Sequence, residues 1–229
     1  NEDYAVCVAA GKCSEPQNTD SKTRTDYYSS PTFSKFPVLN VTWQDAVDYC
    51  EFVEKRLPAE AEWERAARGI SGDRRYPWGN GTPKMDQMNI SLVPGDTEMV
   101  NIYTGGYSPY GIADMMGNVA EWTADWYDAA WYAAGEQDNP QGPISGTEKV
   151  IRGGSFETPI NELHVTLRDG MDPETYSNTV GFRCAMSIRE SIGYELVDDG
   201  SENTMEFAYV KAGNDNGIFL LQEPGTGYD

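Results

Sequence analysis

The clearest pattern of hydrophobic and polar positions predicts two short amphipathic helices between residues 42 and 69. The first begins at a capping-box pattern, Thr42–Asp45, and continues to about Lys55 with apolar residues at helical spacing, namely Ala46, Val47, Cys50 and Val53. The second covers about 60–68, with Gly69 as its stop and one apolar face formed by Trp63, Ala66 and Ala67. Because Cys50 lies on the apolar face of the first helix, its side chain is predicted to point into the core.

The rest of the first 186 residues is predicted to contain little regular structure. Residues 1–37 are typical of a short helix followed by a loop, and 70–112 are interrupted so often by Gly, Pro and Asn that long ordered loops are expected. Short strands are predicted at Lys149–Arg152, His164–Arg168 and Gly181–Ala185.

The composition changes after about Met186. Residues 187–229 contain nine acidic and two basic residues, which gives a local net charge of −7. Two strand-like pieces, Met205–Val210 and Ile218–Leu221, flank the turn-forming sequence Gly213–Gly217, and this order is typical of a hairpin. We therefore divide the chain into a first part, 1–186, and an acidic C-terminal extension, 187–229.

The charge of the chain excludes several functions. Its 229 residues include 37 Asp and Glu against 17 Lys and Arg, and the formal net charge is −20. No nucleic-acid partner and no anionic membrane surface is expected for such a chain. The single histidine, His164, excludes an HExxH zinc site and a two-histidine iron site within this sequence. No apolar run approaches the ~18 residues of a membrane span, so none is predicted.

The four cysteines, Cys7, Cys13, Cys50 and Cys184, contain no C-x-x-C pair, which argues against a zinc ribbon or a thioredoxin-type site. An even number without metal spacing favours two disulfides formed in an oxidising compartment. We therefore expect an extracellular, cell-surface or periplasmic protein. The alternative is a cytosolic protein with four buried free thiols.

Six motifs, occurring in family order, resemble those of the formylglycine-generating enzymes, also called sulfatase-modifying factors. They are Asn40–Ala46, Arg56–Glu64, Tyr76–Asn80, Asp114–Trp122, Arg152–Phe156 and Gly181–Ala185. The resemblance covers about residues 1–186. It implies an α+β, C-type-lectin-like fold with low regular secondary structure, two main helices and long ordered loops. It also implies a disulfide between Cys50 and Cys184 and a local one between Cys7 and Cys13.

The resemblance argues against the activity of the family. Its active members oxidise a substrate cysteine with a pair of cysteines that bind copper, and that pair follows the Gly-Gly-Ser-aromatic motif. Here the corresponding positions fall near Thr158 and Ile160, and residues 157–164 contain no cysteine. We therefore expect no copper and no catalytic residue. A hydrolase built on Ser155 and His164 is a weak alternative, because Ser155 belongs to a family motif.

Calcium is the cofactor that the resemblance implies, as one or two ions. Asp114 and Glu121, with the carbonyls of Gly117 and Val119, match one family calcium site. Hard cations take about six to eight oxygen ligands, and carboxylates around a glycine-containing turn can supply several of them. A second site begins at Asn89 and Ile90, with Asp96 as the downstream acid. The alternative is that Asp114, Asn118 and Glu121 only satisfy buried backbone groups.

The two remaining features concern binding. Trp131 and Tyr132 lie outside the family motifs and are the predicted ligand surface for a glycan or peptide. Met205–Gly213 resembles the strand that normally opens the family domain, but it lies at the other end of the chain. The hairpin is therefore expected either to derive from a tandem array or to complete a fold by strand addition, in its own chain or in a second copy.

These observations favour a non-catalytic extracellular module with a structural, assembly or binding role, on a scaffold braced by calcium and disulfides. Its partners would be copies of itself, other surface proteins or glycans. The alternatives are a divergent oxidase of the same family and a lectin-like receptor. Fold alone does not decide among them.

Overall fold

The protein is described by a computed structural model that covers residues 1–70, 73–89, 95–134 and 140–188, together with two strands at 207–210 and 218–222. The α-helices in these ranges are α1 (Glu2–Ala9), α2 (Trp43–Phe52) and α3 (Glu60–Arg68). Short 3₁₀ turns occur at Pro31–Phe33, Thr104–Gly106 and Trp131–Ala134. The low content of regular structure predicted from the sequence is confirmed.

Helix α2 begins at the predicted capping box. The Thr42 side chain accepts a hydrogen bond from the Asp45 N–H at 3.2 Å, and the Asp45 carboxylate accepts one from the Thr42 N–H at 2.9 Å. Reciprocal caps of this kind satisfy two backbone donors that have no partner inside the helix. The helix ends at Phe52, slightly earlier than predicted, because Glu54 adopts a left-handed conformation with φ of 58°.

Helix α3 has the predicted bounds. Glu62 in its first turn accepts a hydrogen bond from the Ala59 N–H at 2.7 Å and pairs with both terminal nitrogens of Arg56 at 2.7 and 2.8 Å. Gly69 ends the helix with φ of 72°, and a Cβ at this position would lie 2.8 Å from Pro109 Cγ. Glycine is therefore required here both by conformation and by packing.

A four-stranded mixed sheet forms the centre of the fold. Its strands are β1 (Ala120–Trp126), β2 (Lys149–Arg152), β3 (Arg168–Met171) and β4 (Val180–Phe182), in the order β3-β2-β1-β4. Strand β1 runs antiparallel to β2 and parallel to β4, with Glu121 opposite Arg152 on one side and Gly181 on the other. The prediction of a strand at His164–Arg168 is wrong, since β3 only begins at Arg168.

A second sheet contains the hairpin predicted near the C-terminus. Its strands are β5 (Ala185–Ile188), β6 (Phe207–Val210) and β7 (Ile218–Gln222), in the order β5-β7-β6. Strand β7 is antiparallel to β6 and parallel to β5, with Met186 opposite Leu220. Both hairpin strands are thus confirmed, and β7 pairs with β5 of the same chain. The predicted turn at Gly213–Gly217 lies outside the described residues.

Both disulfides implied by the family resemblance are present. Cys50 of α2 bonds to Cys184, with a Cα–Cα distance of 5.5 Å, and Cys7 bonds to Cys13 across 5.3 Å. Cys50 is fully buried beside Trp122, so the first bridge joins α2 to the chain between β4 and β5 inside the core. No helix in the described ranges is both long and apolar enough to cross a membrane.

The two disulfides are expected to differ in their effect on stability. Cys50–Cys184 closes a separation of 134 residues and Cys7–Cys13 one of 6. In the chain-entropy description, these loops correspond to about 5 and about 2 kcal/mol. The double variant Cys50→Ala/Cys184→Ala should therefore lose more than twice as much free energy of unfolding in urea as the control Cys7→Ala/Cys13→Ala. Equal losses would contradict this ranking.

Candidate functional site

The two loops predicted to bind calcium lie against each other. The Asn118 N–H of the first loop donates to the carbonyl oxygen of Asn89 in the second at 3.1 Å. The Asn89 amide nitrogen donates in return to Asn118 Oδ1 at 3.2 Å, and the same oxygen accepts from the Glu98 N–H at 2.8 Å. Asn118 therefore joins the two loops through both its backbone and its side chain.

Three left-handed residues give the first loop its shape. Asp114, Gly117 and Asn118 have φ values of 54°, 74° and 62°. A Cβ on Gly117 would lie 2.4 Å from the Asn89 carbonyl oxygen, which is shorter than any normal contact. The close approach of the two loops thus depends on the missing side chain of Gly117.

The four predicted ligands of the first calcium site line one cavity. Asp114, Gly117, Val119 and Glu121 all border an open cavity of about 420 Å³, beside Arg183. Among the described residues, no group of three or more His, Cys, Asp or Glu side chains is arranged to hold a metal ion. A cation here would therefore need carbonyl and water oxygens in addition to the two carboxylates.

Glu121 is already engaged by two protein groups. The Trp63 indole N–H donates to Oε2 at 2.6 Å, and the Arg183 guanidinium donates to both carboxylate oxygens. The same guanidinium also donates to the carbonyl oxygens of Asp114 at 2.9 Å and Ala113 at 3.2 Å. Glu121 is buried, so Arg183 supplies the counter-charge that its carboxylate requires.

Asp114 is the less neutralised of the two acids. Burial raises its pKa, while a hydrogen bond from the Asn101 N–H at 2.6 Å and the charge of Arg183 act in the opposite direction, and Glu121 raises it further. A divalent cation in the cavity would lower the pKa of Asp114 by favouring its ionised form. The first loop therefore fits a cation through Asp114 more than through Glu121.

The second predicted site is only partly suited to a cation. Asn89 Oδ1 is buried and has no hydrogen-bond partner among the described residues. Because buried polar oxygens normally have a partner, this oxygen is available to bind a cation. Asp96 is fully buried, but its carboxylate accepts hydrogen bonds from Ser21 Oγ at 2.6 Å, Thr23 N at 2.8 Å, Thr23 Oγ1 at 2.7 Å and Thr97 N at 2.7 Å. Ile90 lies outside the described residues.

Asp96 therefore acts as a tether for the N-terminal loop. Burial raises its pKa, but the hydrogen bonds from Ser21, Thr23 and Thr97 outweigh burial and leave the pKa below its usual range. Arg24 reaches within 3.9 Å of the same carboxylate and donates to the Thr97 carbonyl oxygen at 2.7 Å. Sequence reasoning missed this tether, because residues 21–24 carry no motif.

Thr158 and Ile160 occupy the positions near which the family resemblance predicts the catalytic cysteines. All four cysteines of the sequence are used in the two disulfides. Thr158 Oγ1 accepts a hydrogen bond from the Ser155 N–H at 2.9 Å, and Ile160 is exposed. Ser155 Oγ accepts from the Glu157 N–H, whereas the His164 ring bonds to Thr166 Oγ1 at 2.8 Å. No described hydrogen bond joins Ser155 to His164.

The predicted ligand surface is partly used within the protein. Tyr132 is exposed, yet the Arg168 guanidinium lies 5.0 Å from its ring centre and 4.9 Å from that of Tyr127. Arg168 also forms two hydrogen bonds of 2.7 Å to Glu60. The Trp131 indole nitrogen is buried without a described partner. Ligand binding by Trp131 and Tyr132 stays a prediction.

We expect Asp96→Asn to destabilise the protein, because it places an amide nitrogen against the donors of Ser21 and Thr23. Hydrogen bonds to charged groups contribute about 1.5–3 kcal/mol each, so the free energy of unfolding at pH 7 should fall by about 2–4 kcal/mol. The folded pKa lies below the unfolded value of about 4, so this contribution is complete above that value and is lost as the pH falls through the folded pKa.

Urea unfolding at pH 7 and pH 3 measures this effect of Asp96. The difference in stability between wild type and Asp96→Asn should shrink at pH 3. The control Glu15→Gln, which removes an exposed carboxylate, should change stability by less than about 0.5 kcal/mol. An Asp96→Asn variant as stable as this control would contradict the tether.

Comparisons with known proteins agree with the geometry. The sulfatase-modifying factor enzyme 1-like domain family matches residues 1–188. The chain is 39% identical over 166 residues to a formylglycine-generating enzyme of Thermomonospora curvata, covering 65% of this chain and 55% of that protein. It is 38% identical over 168 residues to the inactive C-alpha-formylglycine-generating enzyme 2 of Bos taurus, covering 66% of this chain and 50% of the relative.

A protein named serine/threonine-protein kinase pkn1, from Chlamydia pneumoniae, is 41% identical over 160 residues, covering 69% of this chain. The chain spans only 25% of that relative and about half of the formylglycine-generating enzymes.

Two solved structures share the fold. Treponema denticola variable protein 1 has a TM-score of 0.59 at 22% identity, over 79% of this chain and 80% of that one. PvdO from Pseudomonas aeruginosa has a TM-score of 0.60 at 23% identity, over 78% and 73%.

Sequence motifs, both disulfides and the match over residues 1–188 all point to the same fold. The chain belongs to the sulfatase-modifying factor enzyme 1-like family, with a C-type-lectin-like, α+β fold.

Proposed function

We propose that this chain is a non-catalytic extracellular module for binding or assembly, on a scaffold braced by two disulfides and by calcium. One observation carries the proposal: every cysteine of the sequence is used in a disulfide. Oxidation of a substrate cysteine in this family uses a free cysteine pair, and carboxylates do not replace soft thiolates as ligands of Cu(I). The relative from Bos taurus is itself named inactive.

The location outside the cytosol is supported by the same bonds. Disulfides persist in oxidising compartments, and one of them lies in the core of this protein, where it joins α2 to the last strands of the domain. A module with these bonds and no thiol is suited to the cell surface, the periplasm or the extracellular space.

Calcium is supported by two features of the adjacent loops. The predicted ligands Asp114, Gly117, Val119 and Glu121 border one cavity, and burial raises the pKa of Asp114, an effect that a bound divalent cation would oppose. Asn89 Oδ1 would supply a second ion with a buried oxygen that has no hydrogen-bond partner among the described residues. Bound calcium would hold the two loops together where Asn118 already joins them, so its role in this proposal is structural.

Metal loading and oxygen uptake test the proposal together. The protein should show no copper-dependent oxygen uptake with a cysteine-containing peptide. Calcium at a hundredfold excess over its Kd should raise the free energy of unfolding by about 2.7 kcal/mol, which corresponds to a Tm increase of about 5–10 °C. Turnover with copper would overturn the non-catalytic role.

The variant Asp114→Asn provides the calcium control. Asparagine tolerates the left-handed conformation of residue 114, so the backbone is retained while the charge is removed. The calcium-dependent Tm increase should be lost in Asp114→Asn and kept in Glu15→Gln. An equal calcium-dependent Tm increase in both variants would show that Asp114 is not a calcium ligand.

The C-terminal hairpin supports an assembly role. Its strand β7 pairs with β5 through the backbone in parallel register, and 18 residues separate β5 from β6 in the sequence. The same β5 edge can accept the hairpin of a second copy, because strand addition depends on main-chain groups. We propose that exchange of residues 203–229 between copies links the modules into a larger assembly.

Deletion of residues 203–229 should remove β7, the strand that pairs with β5, lower the Tm and abolish concentration-dependent association in sedimentation experiments. A finer variant is Leu220→Pro, which removes one N–H from β7, a strand that has partners on both sides. Its control, Leu220→Thr, keeps the N–H and should associate as wild type does. Unchanged assembly and stability after the deletion would refute the role of the hairpin.

A further inference from the structure

Asp125 of β1 is a buried acid with a hydrogen-bond partner at only one of its carboxyl oxygens. The residue is 3% exposed. Its Oδ2 accepts a hydrogen bond from the Glu60 N–H at the start of α3 at 2.6 Å, whereas Oδ1 has no hydrogen-bond partner among the described residues. A buried carboxylate is costly unless donors or a counter-charge surround it. This position in the fold therefore favours the neutral, protonated form of Asp125.

The positive charge of Lys149 in β2 is engaged by other groups. Its Nζ donates to the Ala124 carbonyl oxygen at 2.8 Å and lies 4.0 and 3.9 Å from the ring centres of Trp43 and Trp126. Asp125 forms no ion pair with Lys149 within the described ranges. The cation thus reduces the cost of an Asp125 carboxylate only from a distance.

Residues 142–148 pack against the end of β1 that contains Asp125, and we call them the covering segment. Gly142 has φ of 71°, and a Cβ at this position would lie 2.9 Å from Asp125 Oδ1. The Glu148 carbonyl oxygen accepts from the Tyr127 N–H at 2.8 Å. The covering segment contains no helix or strand, unlike α3 and β2 on the other sides of Asp125. Its movement is therefore the least costly way to let water reach Oδ1.

The groups around Asp125 set the pH range in which it titrates. Burial is the largest effect and raises the pKa of Asp125 to about 6. The Glu60 N–H acts in the opposite direction, the carboxylates of Glu60 and Glu62 raise the pKa further, and Lys149 lowers it. Asp125 therefore exchanges its proton between acidic and neutral pH, where few other side chains titrate.

Two more titratable groups face this region, and neither adds a positive charge. Tyr132 of the last 3₁₀ turn lies within electrostatic range of Asp125, and burial raises the pKa of its phenol, which is uncharged at neutral pH. Glu148 of the covering segment has its carboxylate beside β3, where a Cβ on Gly170 would lie 2.8 Å from Oε2. Ionised Asp125 thus remains without a counter-charge in direct contact.

We propose that Asp125 and the covering segment form a pH-responsive switch, which is closed when the carboxyl group is protonated and opens when it ionises. At acidic pH the neutral carboxyl group keeps the bond from the Glu60 N–H under the closed segment. At neutral pH the proton passes to solvent, and the carboxylate gains hydration when the covering segment moves away from Oδ1. The switch goes beyond the proposed binding and assembly role, and it uses none of the predicted calcium ligands.

Asp125→Asn tests the switch, because asparagine keeps an oxygen for the Glu60 N–H but does not titrate. The folded pKa of about 6 lies above the unfolded value of about 4, so the stability due to protonation is complete below the unfolded pKa and is lost as the pH rises through the folded pKa. The ratio of the unfolding equilibrium constants, wild type over Asp125→Asn, should be about tenfold larger at pH 7 than at pH 5. Urea unfolding at both pH values measures this ratio.

Hydrogen–deuterium exchange of residues 140–149 reports movement of the covering segment itself. At pH 7 these amides should exchange at least about threefold faster in wild type than in Asp125→Asn, since the ionised carboxylate favours opening. At pH 5 the two proteins should exchange alike. Comparison at equal pH removes the intrinsic pH dependence of exchange. The control Glu15→Gln removes an exposed carboxylate and should match wild type at both pH values in both measurements.

Two results would overturn the inference: a stability ratio that is the same at pH 5 and pH 7, or equal exchange of residues 140–149 in wild type and Asp125→Asn at pH 7. If Asp125→Asn does not fold, Asp125→Ser replaces it, because a serine hydroxyl can also accept from the Glu60 N–H. Neither measurement depends on calcium, oxygen uptake or sedimentation. Failure of the switch is therefore distinguishable from failure of the proposed function.

Discussion

The buried ion pair between Glu121 and Arg183 is the interaction on which the rest of the structure depends. Glu121 lies in β1 and accepts from Trp63 of α3, while Arg183 follows β4 and precedes Cys184, which is bonded to Cys50 of α2. Helix α3, strand β1 and the end of β4 thus meet at one carboxylate, and the adjacent disulfide joins them to α2. Loss of Arg183 would leave the buried carboxylate of Glu121 without its counter-charge, and breaking a buried pair in this way typically costs about 3–5 kcal/mol.

The pairing of buried carboxylates with specific donors also explains how a chain with 20 excess negative charges folds compactly. Three of its buried acids are matched to specific donors: Glu60 to Arg168 and Arg152, Glu121 to Arg183, and Asp96 to hydroxyl and amide groups. Asp125 is matched at one oxygen only, since its Oδ1 has no hydrogen-bond partner among the described residues. It caps α3 by accepting from the Glu60 N–H at 2.6 Å, and burial raises its pKa to about 6. The arginines that pair with these acids are buried, as Arg152 is, or half-buried, as Arg168 and Arg183 are.

Local sequence was sufficient where short-range hydrogen bonds decide the structure. The capping box at Thr42, the bounds of α3, strand β2 and the hairpin strands were predicted, because caps and turns depend on neighbouring residues. Strand β1 was missed because it lies in the middle of the sheet and is buried at five of its seven residues, so its sequence lacks the alternation of a half-exposed strand. The strand predicted at His164–Arg168 is misplaced for another reason: β3 is an edge strand, and its bounds are set by its pairing with β2.

The sequence by itself determined the family and, through the family motifs, both disulfide pairs. Only the tertiary structure decided how the acids are used. It brought Asp114 and Glu121 to one cavity, paired Glu121 with Arg183, and placed Asp96 against the donors of Ser21 and Thr23. Partners of buried charges lie 62 and 75 residues apart in these cases, and no local pattern encodes contacts over such separations.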